Sequence, residues 1–585
     1  MADSYPITNS SSYVKELSDA YQQAYGSWST AWSEMKKDVQ FALGDQWESV
    51  WKTYLESQGR AAMVFNKIQR VLMIVTGYQR KNRLSLKADP VEGSDEMTAN
   101  QFTGCLLWIL GANGMYETLS DGFELGPLVS GINLLQIGMD YTKDIINGDP
   151  QLYRFPYNSF ILDASMSQRD MSDCQYAIIR RNVTKDQAKS LLPFLEPSDI
   201  DSILIKSSND NMFPLLASLK DNLGKSKLRL YYYWKRTTKD ASVILDKMTG
   251  QMHETDMSRQ DLDAALRMQY PMYGERYTAV RKVKPVVELG IILNDEAVYR
   301  GTDPSGIEDD YPLVPLIGTW IPEYDDWKYK IQSMVRPLRD PSTEKNKRIS
   351  QAIDIIESAI NSGWIAKEGS VVNPDMMYKS GQGKVVWRNV DSQPEDVQQM
   401  RGIEVPASHF TLHQLLDQEI PEIAGINNEM FGAPENDKLE VAGVLAKMRM
   451  AAGIVGLQKY FDNYRFAKVR VGNKIIECIQ KNWTPDKVAR VINQMPSPAF
   501  YTKKFGRYDC SVTEGLLTDS QRQMFYAELK ALKAAGEPIP LSIMVEYCPI
   551  AMKDELKKAL KQAEQGQQQM NQRKMALDEL TLQVM

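Results

Sequence analysis

The chain has 585 residues, far more than one compact core accommodates, and length alone suggests roughly three to five structural units. Hydrophobic residues make up 43% and charged residues 25%, values of ordinary globular protein that exclude a wholly disordered or membrane-embedded chain. A formal net charge of -6 and a pI near 5.5 lack the global basic bias of a protein that grips nucleic acid tightly, so any phosphate contacts should be few and distributed.

The first residues, Met1-Ala2-Asp3-Ser4-Tyr5-Pro6 and onward to Ser12, lack the basic start and apolar core of a secretory signal, so no export is expected. The densest apolar stretch, Leu106-Leu107-Trp108-Ile109-Leu110, is soon broken by Gly and falls short of a membrane span; no membrane partner is expected. Cys105, Cys174, Cys478, Cys510 and Cys548 lie far apart with no C-x-x-C pair, which reads as free thiols in a reducing compartment.

In chain order, Leu17, Tyr21, Tyr25, Trp28, Trp32, Met35 and Val39 recur at the period of one helix face, predicting a helix over about 13–41. Gly44-Asp45-Gln46-Trp47 breaks it. A second helix follows from about Asn66 through Ile68, Val71, Leu72 and Val75, and Leu84, Leu86 and Ala88 then alternate as a strand up to Asp89-Pro90. Residues from about 98 to 139 read as further helices, closing at the turn formers Asn147-Gly148-Asp149-Pro150. Short strands at Phe160-Ile161-Leu162, Tyr176-Ala177-Ile178-Ile179 and Leu230 to Trp234, with a helix near Thr184 to Leu192, make an α+β body. Around 258–331 the spacing predicts a short helix (Leu262, Ala265, Leu266) and a hairpin turning at Asn294-Asp295, taken together as a small inserted β module.

Asp340-Pro341 is a helix start, since the carboxylate accepts orphan N–H groups and proline needs none at the first position. Ile349, Ile353, Ile356 and Ile360 line one face of that helix, and a loop-rich interval with Gly381, Gly383, Pro394 and Pro406 follows. Another helix starts near Ser408, with Pro421 set to kink or stop it. The longest helical pattern runs over about 441–483. Past Pro496-Ser497-Pro498, Tyr508 to Val512 reads as a strand, and Thr518 with Gln521 is a candidate capping box. The Gln-rich stretch from Lys553 on is a projecting helix or frayed tail.

This order of elements resembles the portal (head-to-tail connector) proteins of tailed bacteriophages, especially those of short-tailed phages. The carriers near the start are Gly44-Asp45-Gln46-Trp47, Asn66-Lys67-Ile68 and Gly77-Tyr78-Gln79-Arg80-Lys81-Asn82-Arg83 ahead of Asp89-Pro90. In the middle they are Pro315-Leu316-Ile317-Gly318, Val335-Arg336-Pro337-Leu338-Arg339-Asp340-Pro341 and Asn346-Lys347-Arg348-Ile349-Ser350. Further on come Gly425-Ile426-Asn427-Asn428-Glu429-Met430-Phe431-Gly432, Asp462-Asn463-Tyr464-Arg465, and Tyr508-Asp509 before Gly515. No one motif is specific; their agreement in order over most of the chain makes the case.

The resemblance implies a mainly helical α+β portal fold with wing (1–257 and 407–552), stem helices (258–271 and 336–362), clip with β-hairpin (272–335), an interval including a tunnel loop (363–406) and a short tail (553–585), without the long barrel some members carry. It implies a dodecameric ring at one capsid vertex, passing double-stranded DNA during packaging and ejection. Terminase, tail adaptor proteins, major capsid protein and scaffold are the implied partners, the virion and, during assembly, the host cytoplasm the locations, and no cofactor or enzymatic activity is implied.

Candidate DNA-channel residues are Arg336, Arg339, Lys345, Lys347, Arg348, Lys384 and Arg388, with Arg281, Lys282 and Lys284 in the clip. Backbone phosphate contacts suit a conduit because they carry no sequence information; the competing reading is a solvated face or ion pairs between subunits. His409, His413 and Asp417 share one helix face at spacing that can present metal ligands, but no Cys, third His or H-e-x-x-H glutamate accompanies them, so a wet or interfacial face is expected. Gly381-Gln382-Gly383-Lys384 lacks the earlier glycine of a phosphate loop and has Val385 where Ser or Thr would hold magnesium. Three histidines and no G-x-S-x-G elbow leave few possible catalytic bases, and Asp325-Asp326 alone is thin for a nuclease. The rival classes are another capsid or tail structural protein and, behind it, a packaging ATPase or nuclease component.

Overall fold

A computed structural model describes residues 10–81, 85–90, 96–192, 196–203, 227–255, 259–269, 276–294, 296–360, 363–379, 385–400, 406–426, 455–502 and 510–515, together with 453, 526, 529, 530, 532, 533 and 544. The described residues form an α+β fold around two large apolar cores and one small one.

The N-terminal helix, Ser10–Leu43, forms where the aromatic period predicts it. It buries Leu17, Tyr21, Trp28, Trp32 and Met35, with Ala24 and Ala31 filling the narrow points, while Tyr25 stays at the rim. Both tryptophans are also tethered by their N–H groups, Trp28 Nε1 donating to the Leu162 carbonyl and Trp32 Nε1 to the Tyr157 carbonyl, each at 2.9 Å. Trp28 stacks on Trp327 with ring centroids 4.2 Å apart. An amphipathic ring needs a polar partner when buried, and these two have one.

The first core lies between this helix and a six-stranded antiparallel sheet, ordered Phe160–Leu162, Tyr176–Val183, Leu228–Asp246, Tyr277–Leu293, Glu296–Gly301, with Met252–Thr255 pairing the far end of Leu228–Asp246. The hairpin expected at Asn294 is present, and Asn294 takes a positive φ of 53°, as tight hairpin turns require. It is not a separate module, however. Strand Tyr277–Leu293 pairs along its whole length with Leu228–Asp246, from Leu230↔Leu293 to Asp246↔Tyr277, so both belong to one sheet. The small third core, Leu262, Leu266 and Ala279, seats helix Arg259–Gln269 on the far end of that ribbon.

The second core joins helices Lys67–Lys81, Glu96–Ala112, Met115–Phe123 and Gln458–Asn482 with a three-stranded sheet ordered Leu313–Ile317, Ile132–Asp140, Asp149–Phe155. Here the sequence expectation of helix up to 139 fails. The helices end in a π-helical turn, Glu124–Ser130, containing Pro127, and Gly131 at φ +93° redirects the chain into a strand, Ile132–Asp140. Its first four residues are buried, so it shows no alternation, and periodicity cannot tell such a strand from buried helix. The strand read over 508–512 is observed as Cys510–Gly515, antiparallel to Ser85–Pro90 with Ala88 opposite Val512. Helix Gln458–Asn482 realises the later part of the long pattern expected over 441–483. The capping box at Thr518 and the tail from 553 lie outside the described residues.

Candidate functional site

The helix Arg339–Ile360 continues directly from a 3-10 turn, Arg336–Leu338, so Asp340-Pro341 falls in its first turn. The expected isoleucine stripe is not its deepest face. Ser342, Lys345, Asn346 and Ser350 are buried, Ile349 and Ile353 are half-buried, and Ile356 is exposed. Polar side chains therefore hold this helix in place, through partners to Lys345, Asn346 and Ser350.

At its start, Asp38 on the N-terminal helix is fully buried and collects three groups. Arg336 donates from Nε at 3.1 Å and Nη2 at 2.8 Å, Ser333 Oγ donates at 2.9 Å, and Arg339 Nη1 lies 3.3 Å away. Burial pushes the Asp38 carboxyl up, against the pull of the guanidiniums. Arg336 Nη1 also donates to the Lys328 carbonyl at 2.7 Å, and Arg339 Nη2 to Glu34 at 2.5 Å. Burial works against ionisation of Glu34, but hydrogen bonds from Arg339 and Lys37 outweigh it and hold its carboxyl down at about 2.

Along its middle, the extended segment after residue 57 straps across the helix at one-turn spacing. Arg60 Nε donates to Asp354 at 2.7 Å, Met63 N to Ser350 Oγ at 3.2 Å and Phe65 N to Asn346 Oδ1 at 2.9 Å. Asn346 Nδ2 in turn donates to Gln46 Oε1 at 2.7 Å, and Gln46 Nε2 donates to Asn66 Oδ1 at 3.0 Å. On the neighbouring flank, Lys345 and Lys67 share the carboxylate of Asp417 from helix Ala407–Ile423. Burial opposes charge on both Asp417 and Lys345; the two ammonium groups nevertheless hold the Asp417 carboxyl below its usual range, while the Lys345 ammonium is pulled down.

These contacts join motifs that are distant in sequence. Gly44-Asp45-Gln46-Trp47, Asn66-Lys67-Ile68 and Asn346-Lys347-Arg348 meet in one polar network. Gln79 Nε2 donates to Tyr464 OH at 3.3 Å, linking Gly77-Tyr78-Gln79-Arg80 with Asp462-Asn463-Tyr464-Arg465, and Asn463 Nδ2 donates to the carbonyl of Gly318. A Cβ at Gly318 would stand 2.6 Å from the Pro127 oxygen and 2.7 Å from that of Gln332, so the close approach demands glycine.

The basic residues singled out by sequence divide accordingly. Arg336, Arg339 and Lys345 are turned into the subunit and engaged by Asp38, Glu34 and Asp417, which leaves them no free face for phosphate. Lys347 and Arg348 sit on the opposite, open side of the helix with Glu344 and Gln351; Arg348 pairs with Glu344 one turn earlier at 2.7 Å, and Lys347 makes no ion pair among the described residues. Arg388 is exposed on the lobe that follows. Lys282 is exposed and Lys284 pairs with Asp309 at 3.0 Å; the Arg281 side chain and Lys384 lie outside what is described. His409 Nε2 meets the Arg348 carbonyl at 2.7 Å and Asp417 is taken by two lysines, so that helix face is a packing seam. Asp326 caps the turn Trp327–Lys330 by accepting from Lys328 N at 2.9 Å. Sequence reasoning missed Asp38 and Glu34. The signal was there: Asp38 stands three residues after Met35 in register with the apolar stripe, where a charge must find partners.

No helix among the described residues is long and apolar enough to cross a membrane. No curated protein matches the chain. The family model for Phage P22-like portal protein, in contrast, matches residues 18–585, which takes in most of the N-terminal helix, nearly all of both large cores and the whole network around helix Arg339–Ile360. With nearly its full length matched, the chain belongs to the phage P22-like portal protein family.

Proposed function

We propose that copies of this chain close into a dodecameric ring at one capsid vertex, a passive conduit for double-stranded DNA during packaging and ejection. The family match over residues 18–585 carries this reading. In it, helix Arg339–Ile360 lines the channel with its open face, and Lys347 and Arg348, with Arg388 beyond, make sparse phosphate contacts that hold no register on the DNA. Arg336, Arg339 and Lys345 act one step back, fixing that helix against the N-terminal helix and helix Ala407–Ile423. The wing, stem and clip boundaries follow the resemblance, with helix Arg259–Gln269 in the stem and the clip at 272–335, which holds strand Tyr277–Leu293 and its hairpin, as docking site for terminase and tail adaptor. Capsid protein and scaffold meet the wing, the subunit carries out no catalytic step, and it assembles in the host cytoplasm.

Electron microscopy of the purified protein should show closed rings with a central hole wide enough for a duplex. Arg348→Ala should leave those rings intact and lower DNA packaging or retention. Open filaments or lone subunits at assembly concentrations overturn the ring, and unchanged packaging in the assembled variant removes the channel-face assignment.

A further inference from the structure

Among the described residues, two stretches, beside other exposed positions such as Ile145 and Ile146, expose several apolar side chains close together in sequence. One is the lobe of residues 363–379 and 385–400, built on the pair Trp364–Ala366 and Val397–Gln399 with a bridge between Val371 and Arg388. Among its described residues the single buried one is Ser370, while Val372, Tyr378, Trp387 and Val390 are exposed, Trp387 at 65% and Val390 at 97%. Fewer than about 40 residues rarely bury enough surface to fold unaided, so such a lobe needs an external partner to pack on. The other part is the shelf made by helix Ser49–Ser57, which buries only Leu55 and exposes Val50 at 76%, Trp51 at 52% and Tyr54 beside it. Val50 and Trp51, with Phe41 and Trp47, form the apolar floor of an open groove whose rim is charged and polar, from Lys37, Glu48 and Lys52 to Arg339, Glu344 and Lys347.

Lobe and shelf do not cover each other within one subunit, since Trp387, Val390, Val50 and Trp51 all stay exposed. The lobe follows the C-terminal end of helix Arg339–Ile360, whereas the groove beside the shelf meets that helix between Arg339 and Lys347, about 20 Å or more before its end. A closed ring supplies the missing arrangement, because each cyclic contact sets one patch of a subunit against a different patch of the next. The exposed apolar side chains of the lobe amount to on the order of 600 Å², most of the about 800 Å² per partner that a stable interface buries.

We infer that the lobe of residues 363–379 and 385–400 is an intersubunit arm whose apolar side chains seat in the groove between helix Ser49–Ser57 and the start of helix Arg339–Ile360 of the adjacent copy. This rests on the ring reading above and adds to it which two surfaces meet. The lobe then completes its packing on assembly, and every subunit is both arm and socket.

The test uses two full-length variants that each spoil one patch at exposed positions, Trp387→Asp/Val390→Asp in the arm and Val50→Asp/Trp51→Asp in the socket. Light scattering after size-exclusion chromatography and native mass spectrometry read the assembly state, and far-ultraviolet circular dichroism checks that both variants fold as the unaltered protein does. Each variant alone should lose closed rings at least tenfold. Mixed together, they retain one good socket and one good arm per pair, so heterodimers should form without rings. Rings from either variant alone, or no heterodimer in a mixture of folded variants, overturns the pairing of these surfaces. Failure of the unaltered chain to form rings sinks the ring reading itself, which separates the two failures.

Discussion

Replacing Asp38 by Ala tests whether the start of helix Arg339–Ile360 is held by a buried ion cluster. Asp38 is 0% exposed, and its partners Arg336 and Arg339 have side chains only 13% and 16% exposed, so the substitution strands positive charge away from water. Breaking one side of a buried pair costs about 3–5 kcal/mol. Here the guanidiniums keep other acceptors, the Lys328 and Ile331 carbonyls for Arg336 and Glu34 for Arg339, which places the expected loss near the lower end, about 3 kcal/mol. Urea unfolding followed by tryptophan fluorescence suits the measurement, because the stacked pair Trp28 and Trp327 sits in the core beside this cluster. Adding Arg336→Met removes one stranded charge, so the double variant should cost less than the two singles together, by about 0.5–3 kcal/mol. A loss below about 1 kcal/mol for Asp38→Ala, or strict additivity in the double variant, refutes the cluster as the fastening of this helix.

Gly318→Ala should destabilise by at least about 1–3 kcal/mol, since the new methyl group meets two backbone oxygens that cannot move independently; a variant melting with the unaltered protein counts against this close approach. Glu34 gives a pH signature. Its folded value of about 2 lies below the ordinary 4.5, so its contribution is complete above that ordinary value and is lost as pH falls toward 2. Glu34→Gln should therefore lower stability at neutral pH and flatten the acid-side decline between about pH 4.5 and 2; an unchanged decline removes Glu34 from the account.

What the sequence made legible was apolar rhythm. The N-terminal helix reads correctly because Leu17, Tyr21, Trp28, Trp32 and Met35 face a core. Strand Ile132–Asp140 reads wrongly because burial on both faces erases its period. The site was legible as a set of short motifs and not as an arrangement. Counting apolar residues on helix Arg339–Ile360 selects the isoleucines, while the deepest positions are Ser342, Lys345, Asn346 and Ser350, and the partners of the last three come from residues about 280 positions away and from helix Ala407–Ile423. Basic residues look alike in sequence, and only their acceptors separate ion-paired Arg336 from open Lys347. Thr184 with Gln187 forms a full capping box that carried the same S/T-x-x-E/Q signature sought elsewhere.

The paired strands Leu228–Asp246 and Tyr277–Leu293 also behave as a beam. At 17 residue pairs the ribbon is about 55 Å long. One end is clamped among neighbouring strands and against Tyr13, whose ring stands so close to Gly290 that any Cβ there would overlap it. The other end is stiffened by helix Arg259–Gln269. Between them, around Asp240↔Val283, the beam is two strands wide, so a load applied at the tip concentrates its bending in that span and arrives at the clamped end as a torque on the N-terminal helix.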